Sequence, residues 1–384
     1  MSRINFFLIV TVFFLMGSFY KVQASTEWSV CESGCDFTSI QAGVDSANPG
    51  DTLRLTSVFY YENVVVHKNV NIHGRAPGQT IVSGSENGIV FMIEPGVRTI
   101  ISNLDILDGS APNGSCVYNN GGTVILSKAS VSRCQVSDFE AGAVFNNEGK
   151  LTLLDSTVAG INGRGINNYY GQLNLERSSI YNNVGGIYNF EGAVTISYSY
   201  FTGNFLEGIA AGGAVFNSVN ENARYLTIRN SAFWNNQSTH GAAVYSTGRG
   251  PVKIANSTFS ENRAIPGPEG FGGLGGGVSA AGPLTISNST FVGNEAKVGA
   301  DIYFGHVKNF QLNNSILANS VGSPNCAISV NLAVQGGHNL IDDDSCGFPA
   351  NPVTNLADLA YNGGLTPTYA LLPGSNAIDS GDNT

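Results

Sequence analysis

The sequence predicts an all-β solenoid, and three observations carry that reading: a repeated pattern of residues, its period, and a composition poor in charge. The pattern reads apolar, any, apolar, two spacers, Ser, any, apolar or aromatic, two spacers, Asn. It fits Leu284-Thr-Ile286 with Ser289, Phe291 and Asn294, Val252-Lys-Ile254 with Ser257, Phe259 and Asn262, and Leu226-Thr-Ile228 with Ser231, Phe233 and Asn236. Upstream it fits Val194-Thr-Ile196 with Ser199, Phe201 and Asn204, and Leu173-Asn-Leu175 with Ser178, Ile180 and Asn183. The second apolar residue marks Ile101, Leu126, Leu153, Leu175, Ile196, Ile228, Ile254, Ile286 and Leu312, at spacings of 21 to 32 residues. Such periods belong to repeat arrays. Nine marks imply about nine or more coils, and insertions in the longer units fall at Ser218 to Arg224 and Ile265 to Gly277.

Only 12% of residues are charged, against 42% apolar and 48 glycines, which excludes a charge-driven disordered chain or a coiled coil. A net charge of −10 excludes nucleic acid as a partner, because phosphate binding needs a basic stripe.

Residues 1–24 read as an export signal: Arg3, an apolar run from Phe6 to Phe19, and Val22-Gln23-Ala24 before the cut. No later stretch is long and apolar enough to cross a bilayer, so the mature protein is expected to be secreted or held at the cell surface. Residues 25–50 form an N-terminal cap, with Phe37, Ile40, Val44 and Ala47 at helical spacing ahead of the Asn48-Pro-Gly-Asp51 turn. An amphipathic helix there covers the open apolar end of the first coil. Strands follow at Thr52–Leu55, Val64–Val66 and Val70–Ile72 and open the solenoid, residues 51–335.

Within each repeat one strand lies at the Gly-Ala-Val-Phe-like segment, one at the Leu-x-Ile mark and a third at Ser-x-Phe. Coils stacked at ~4.8 Å place like side chains above one another. The Ser and Asn marks then suit corners, where Asn tolerates left-handed backbone and stacked polar side chains bond along the ladder. Ser156, Ser178, Ser199, Ser231, Ser257, Ser289 and Ser315 are structural on this reading; no Gly-x-Ser-x-Gly surrounds them.

Six cysteines in an exported chain favour disulfides, paired Cys31 with Cys35, Cys116 with Cys134, and Cys326 with Cys346. A metal site at Cys31-x3-Cys35 lacks a second pair of ligands.

The repeat, with Thr38-Ser-Ile40-Gln-Ala42 through Asn48-Pro-Gly-Asp-Thr52, resembles the secreted right-handed parallel β-helix proteins of the pectin-lyase-like class. The C-terminal segment, residues 336–384, resembles the choice-of-anchor Q domain of bacterial surface proteins. The matching residues are Gly337-His-Asn-Leu-Ile341, Asn362-Gly-Gly-Leu-Thr-Pro-Thr-Tyr369, and Ala370 to Ser375 running on to Asp382. The resemblance implies a single-stranded right-handed parallel β-helix and an extracellular compartment, with no common activity. Members typically carry a sorting signal after this motif; the sequence stops at Thr384, so either the protein is released or the sequence ends early.

Fold does not settle function. A lyase of this class needs a Lys or Arg base beside carboxylates that hold Ca2+, and a hydrolase needs clustered Asp and Gly-His-Gly. Lys is sparse here, Gly-His-Gly is absent, and Arg164, Arg177, Arg229 and Arg263 share no position in the frame. No cofactor is called for; Ca2+ has one candidate site, Asp342-Asp343-Asp344, which otherwise reads as a turn beside Cys346. His73, His240, His306 and His338 are scattered, and Gly270-x-Gly272-x-x-Gly275 opens no helix and reads as a loop.

One outward stripe is more informative. Tyr118, Phe145, Tyr188, Phe216, Tyr245 and Tyr303 each follow an inward residue, with Asn167 and Ser279 interrupting. These rings either stack on the sugars of an extended glycan or stack on one another. The leading expectation is a non-catalytic scaffold that binds glycan or another surface. The alternatives are a polysaccharide lyase or hydrolase walled by the two insertions, and a purely structural stalk.

Overall fold

The computed structural model describes residues 25–382 apart from 138–140, 209–210, 221–223, 306–308 and 329–332; residues 1–24, expected to be an export signal, lie outside the described residues. The chain is a parallel β-solenoid of about 12 turns. One coil shows the plan. Face one carries Ile187–Phe190; a turn at Glu191-Gly192 leads to face two, Ala193–Ser197; a corner at Tyr198 leads to face three, Tyr200–Thr202. The chain then returns to face one at Val215–Val219, where Ile187 pairs in parallel with Val215 and Tyr188 with Phe216. Face one is an 11-stranded sheet, and faces two and three together make a 23-stranded sheet. The nine apolar marks all lie on face two, fully buried and in register, as in Ile196↔Ile228, Ile228↔Ile254 and Ile254↔Ile286.

More turns are present than the nine marks count, because strands with weaker patterns extend both ends. Glu27–Val30 pairs with Thr52–Leu55 below, and Gln335–Gly337 and Leu340–Ile341 pair with the last repeats above. The residues assigned to the cap therefore already contribute a strand. The helix is shorter than its apolar spacing implies, Ile40–Ser46, with Ile40 and Val44 buried. It starts where Ser39 accepts the Ala42 N–H and the Glu62 carboxylate accepts those of Ile40 and Gln41.

The buried polar residues form three ladders. At the first corner the Ser156 N–H donates to Ser178 Oγ at 3.1 Å, and the relay repeats through Ser199, Ser231, Ser257, Ser289 and Ser315. At the second corner the Asn183 amide donates to Asn204 at 3.0 Å, and the relay continues at 2.9 Å each through Asn236, Asn262 and Asn294. The left-handed backbone sits one residue earlier than expected: Asn230, Asn256, Asn288 and Asn314 have φ of 48 to 50° and precede the Ser, freeing the marked residues to bond between coils.

The third ladder runs inside face one and has no counterpart in the repeat frame. Asn119, Asn146, Asn168, Asn189 and Asn217 donate one to the next at 2.6 to 2.7 Å. Each of the first four is followed three positions later by a glycine, and at Gly192 a Cβ would lie 2.1 Å from the Asn168 amide, so only glycine turns the corner against this ladder. Beside these runs an apolar stack: the Phe201, Phe233, Phe259 and Phe291 rings lie 4.6 to 5.0 Å apart and within 5° of parallel.

All three cysteine pairs form as read, Cys31–Cys35, Cys116–Cys134 and Cys326–Cys346. Beyond the last coil the chain doubles back. Leu356–Ala360 and Thr368–Leu371 form an antiparallel hairpin laid along the solenoid, where Tyr369 Oη meets Ser260 Oγ at 2.6 Å and Thr366 Oγ1 donates to Asn230 O. Near its end Asn314 exchanges two hydrogen bonds with the Asp382 backbone.

The second-corner ladder ends on a buried acid. Asp301 is fully buried and accepts from Asn294, Asn325 and Ser320 at 2.8 Å each. Every coil from Asn146 to Val298 places Gly or Ala at this position before the face-one strand; here the carboxyl fills it. Burial outweighs those three donors and pushes its pKa up to about 6.

Two outcomes follow. Asn236→Ala, which removes a side chain bonded to five groups, is expected to cost about 2–4 kcal/mol in urea unfolding, against under about 1 for Asn120→Ala on the outer surface. Because folding raises the Asp301 pKa above its unfolded 3.8, the native state holds the proton more tightly, and stability falls as pH rises from about 4 through about 6. Thermal melts across that window should show a loss on the order of 3 kcal/mol that Asp301→Asn abolishes; an unchanged slope in the variant would refute the assignment.

Candidate functional site

The outward stripe is a stack of rings. Tyr118 lies 5.2 Å from Phe145, Tyr188 lies 4.7 Å from Phe216 at an interplanar angle of 2°, and Phe216 lies 5.5 Å from Tyr245. In-register pairing sets this spacing. Asn167 does not break the stack. Tyr169, two residues on, leans into the gap, 5.1 Å from Phe145 and 5.7 Å from Tyr188. Ser279 does break it, leaving Tyr303 on the far side. Rings stacked along the axis spend their faces on each other and turn their edges outward. A sugar laid along the stripe therefore meets edges, and the platform expected of Tyr118, Phe145, Tyr188, Phe216, Tyr245 and Tyr303 is a rigid floor.

The walls come from one corner. The return from face three to face one spans residues 205–211 in one coil, 237–240 in the next and 263–274 in the one after. A short return between two long ones leaves a notch over face one. The groove there measures about 1070 Å3, with Tyr188, Phe216 and Tyr245 as floor and Phe205, Leu206 and Phe271 among its wall residues. Phe205 and Phe271 are 38% and 57% exposed, large apolar side chains open to solvent. Of the two insertions expected to wall a cleft, Ile265–Gly277 does so through Phe271. The other begins at Ser218, toward the opposite end of the Val215–Val219 strand, and the second wall is made by Phe205, Leu206, Glu207, Gly208 and Ala211, which sequence reasoning passed over.

Three ionisable groups line the groove. Arg164 is only 3% exposed, its guanidinium lying 4.8 Å from the Tyr188 ring centre and 5.7 Å from that of Phe216. Glu207 is exposed on the wall. His240 stands at the foot of the notch, its ring 5.9 Å from Tyr245 and 5.4 Å from Phe271, with Nδ1 3.1 Å from Thr239 Oγ1. Burial lowers its pKa from the ordinary 6.5, disfavouring the imidazolium. Gly272 permits this packing, since a Cβ there would lie 2.9 Å from the imidazole. His240, read from sequence as one of four scattered histidines, is thus a groove residue; the signal was its place in the shortest return between two long ones.

The other histidines lie elsewhere. His73 Nδ1 is 2.7 Å from Ser102 Oγ on face two, His338 is 3.8 Å from the Asp382 carboxylate, and His306 falls outside the described residues. The acidic trio is bound into its turn: Asp342 accepts the Asn319 N–H, and Asp343 accepts the Asn325 N–H and both the N–H and hydroxyl of Ser345. Among the described residues no group of three or more His, Cys, Asp or Glu side chains converges as metal ligands. The Gly270–Gly275 segment is a loop following a short 3₁₀ turn at Pro268–Gly270, as expected.

Fold and groove define a class, a parallel β-solenoid with a lateral apolar groove. No family model matches the chain, and no curated protein matches it. Among solved structures it is similar to a pectate lyase (13% identity, 89% of this chain and 85% of that one, TM-score 0.45). It is also similar to a pectin methylesterase from carrot (9%, 82% and 90%, TM-score 0.31). A third is an alginate lyase from a Paenibacillus species (13%, 82% and 98%, TM-score 0.32).

If the stack supports the floor, Phe216→Ala should cost about 2–3 kcal/mol in urea unfolding and Tyr303→Ala less than about 1. Equal costs would show that the rings do not act as a stack.

Proposed function

We propose that the chain is an exported right-handed β-helix of the choice-of-anchor Q type that binds glycan, at a cell surface or in the surrounding medium, without catalysis. Right-handed crossovers are the rule for parallel strands, and three disulfides fit an oxidising compartment. The observation that carries the reading is the groove: an apolar notch with a floor of stacked rings and two exposed phenylalanines, a form suited to the apolar faces of sugar rings. Hydrolysis between two carboxylates needs both within the site, and Glu207 is the one carboxylate among the lining residues. Tyr245 and Thr247 supply hydroxyls that a sugar can bond.

A panel of acidic and neutral polysaccharides, assayed with and without Ca2+ for unsaturated products and reducing ends, tests the absence of catalysis. Any turnover would transfer the groove to the lyase or hydrolase alternative. For binding, Phe205→Ala with Phe271→Ala is expected to weaken retention on a glycan array at least tenfold, about 1.4 kcal/mol. Unchanged retention would clear the groove of that role, and no retention by the native chain would leave a structural stalk.

A further inference from the structure

Resting on the glycan-binding reading, we infer that the groove selects an uncharged hexose or N-acetylhexosamine polymer and rejects uronate and sulfated chains. The argument is electrostatic. The one cation of the groove, Arg164, is sealed: it lies over Tyr188 and Phe216 with 3% of its surface open, so it presents almost no edge with which a ligand anion could pair. The wall carries a carboxylate, Glu207, in contact with solvent. His240 packs its ring against Tyr245 and Phe271, where burial disfavours its charged form. Most of the remaining lining, including Val184, Leu206 and Ala211, is apolar.

A ligand carboxylate entering this space would give up water, gain no accessible cation and approach Glu207. Each of these disfavours it, and a desolvated unpaired charge is the costliest way to fill an apolar site. The whole chain, at −10, adds a repulsive field. Exposed cations do occur beside aromatics, but elsewhere: Arg229 and Lys253 line a groove of about 650 Å3 with Tyr198 and Tyr225, along face two. Nearer the groove, Lys297 donates to Gly270 O on the Phe271 return, but it is not among the residues that line the groove. For an uncharged sugar the same groove is favourable, since Phe205 and Phe271 offer ring faces to its C–H surfaces and Tyr245, Thr247 and Glu207 offer partners to its hydroxyls.

The test is calorimetric titration of the full chain with neutral oligosaccharides (glucan, xylan, mannan and chitin fragments) and, in parallel, with oligogalacturonate, oligoalginate and a sulfated oligosaccharide. At least one neutral ligand is expected to bind, its affinity changing less than about twofold between about 0.05 and 0.5 M salt and falling at least tenfold in Phe271→Ala. Glu207→Lys, an exposed change that leaves the core intact, is expected to admit acidic chains at least tenfold more tightly than the native groove. An acidic ligand that binds the native chain with steep salt dependence and is lost in Phe271→Ala would overturn the uncharged assignment while leaving a glycan groove in place. No binding from either panel would overturn the groove reading itself and this inference with it.

Discussion

From Asn119 to Ser315, successive turns are held together by polar side chains that reach one coil along the axis. A Ser at the first corner, an Asn at the second and an Asn inside face one each reach one coil along the axis, and a buried amide left short of its partner costs more than the bond itself returns. That constraint fixes register. Once register is fixed, the Phe201 to Phe291 stack, the apolar marks of face two and the close glycine turns follow, because identical positions must lie above one another. It also dictates where length can vary. An insertion within any of the three faces would displace all ladders at once, whereas residues added between the second-corner Asn and the next face-one strand leave each ladder untouched.

The groove is a product of that freedom. Two long returns flank a short one, and the notch between them opens over the most rigid part of the outer surface, where rings stack at ladder spacing. Packing and exposure are divided between elements: the stacked rings form the floor, and the exposed phenylalanines are Phe205 and Phe271 on the returns. Electrostatics follows the same division. Arg164 lies buried over the floor rings, His240 packs its ring against the wall, and the exposed charge among the lining residues is the Glu207 carboxylate.

Much of this was legible in the sequence because a ladder writes itself as a period. The Ser and Asn marks, the apolar core positions, the three disulfides and the outward alternation at Tyr188 and Phe216 all follow from spacing. The Asn119 to Asn217 ladder was just as periodic, with glycine three residues after most of its members, but it lay outside the chosen frame. The groove was less legible for a physical reason. Its walls depend on how far one return reaches over its neighbours, and nothing in the lengths of 205–211 and 263–274 states their direction. Tyr169 bridges the gap at Asn167 by leaning, which alternation alone cannot express. The acid that ends the Asn ladder, Asp301, was hidden because it departs from the pattern at a position where Gly and Ala otherwise recur.

A stack of coils is ordinarily free at its ends, each turn answering only to its neighbours. The C-terminal hairpin alters that arithmetic. By running back along the outside and fastening at Asn230, Ser260 and Asn314, it ties the terminal turn to turns several layers beneath. Load applied at that end is then shared in parallel across the fastened layers, as in a laced column, and cannot unwind the last turn without first stripping the lace. Of the groove returns, 237–240 and 263–274 lie within the laced stretch, so the Phe271 wall is braced from outside.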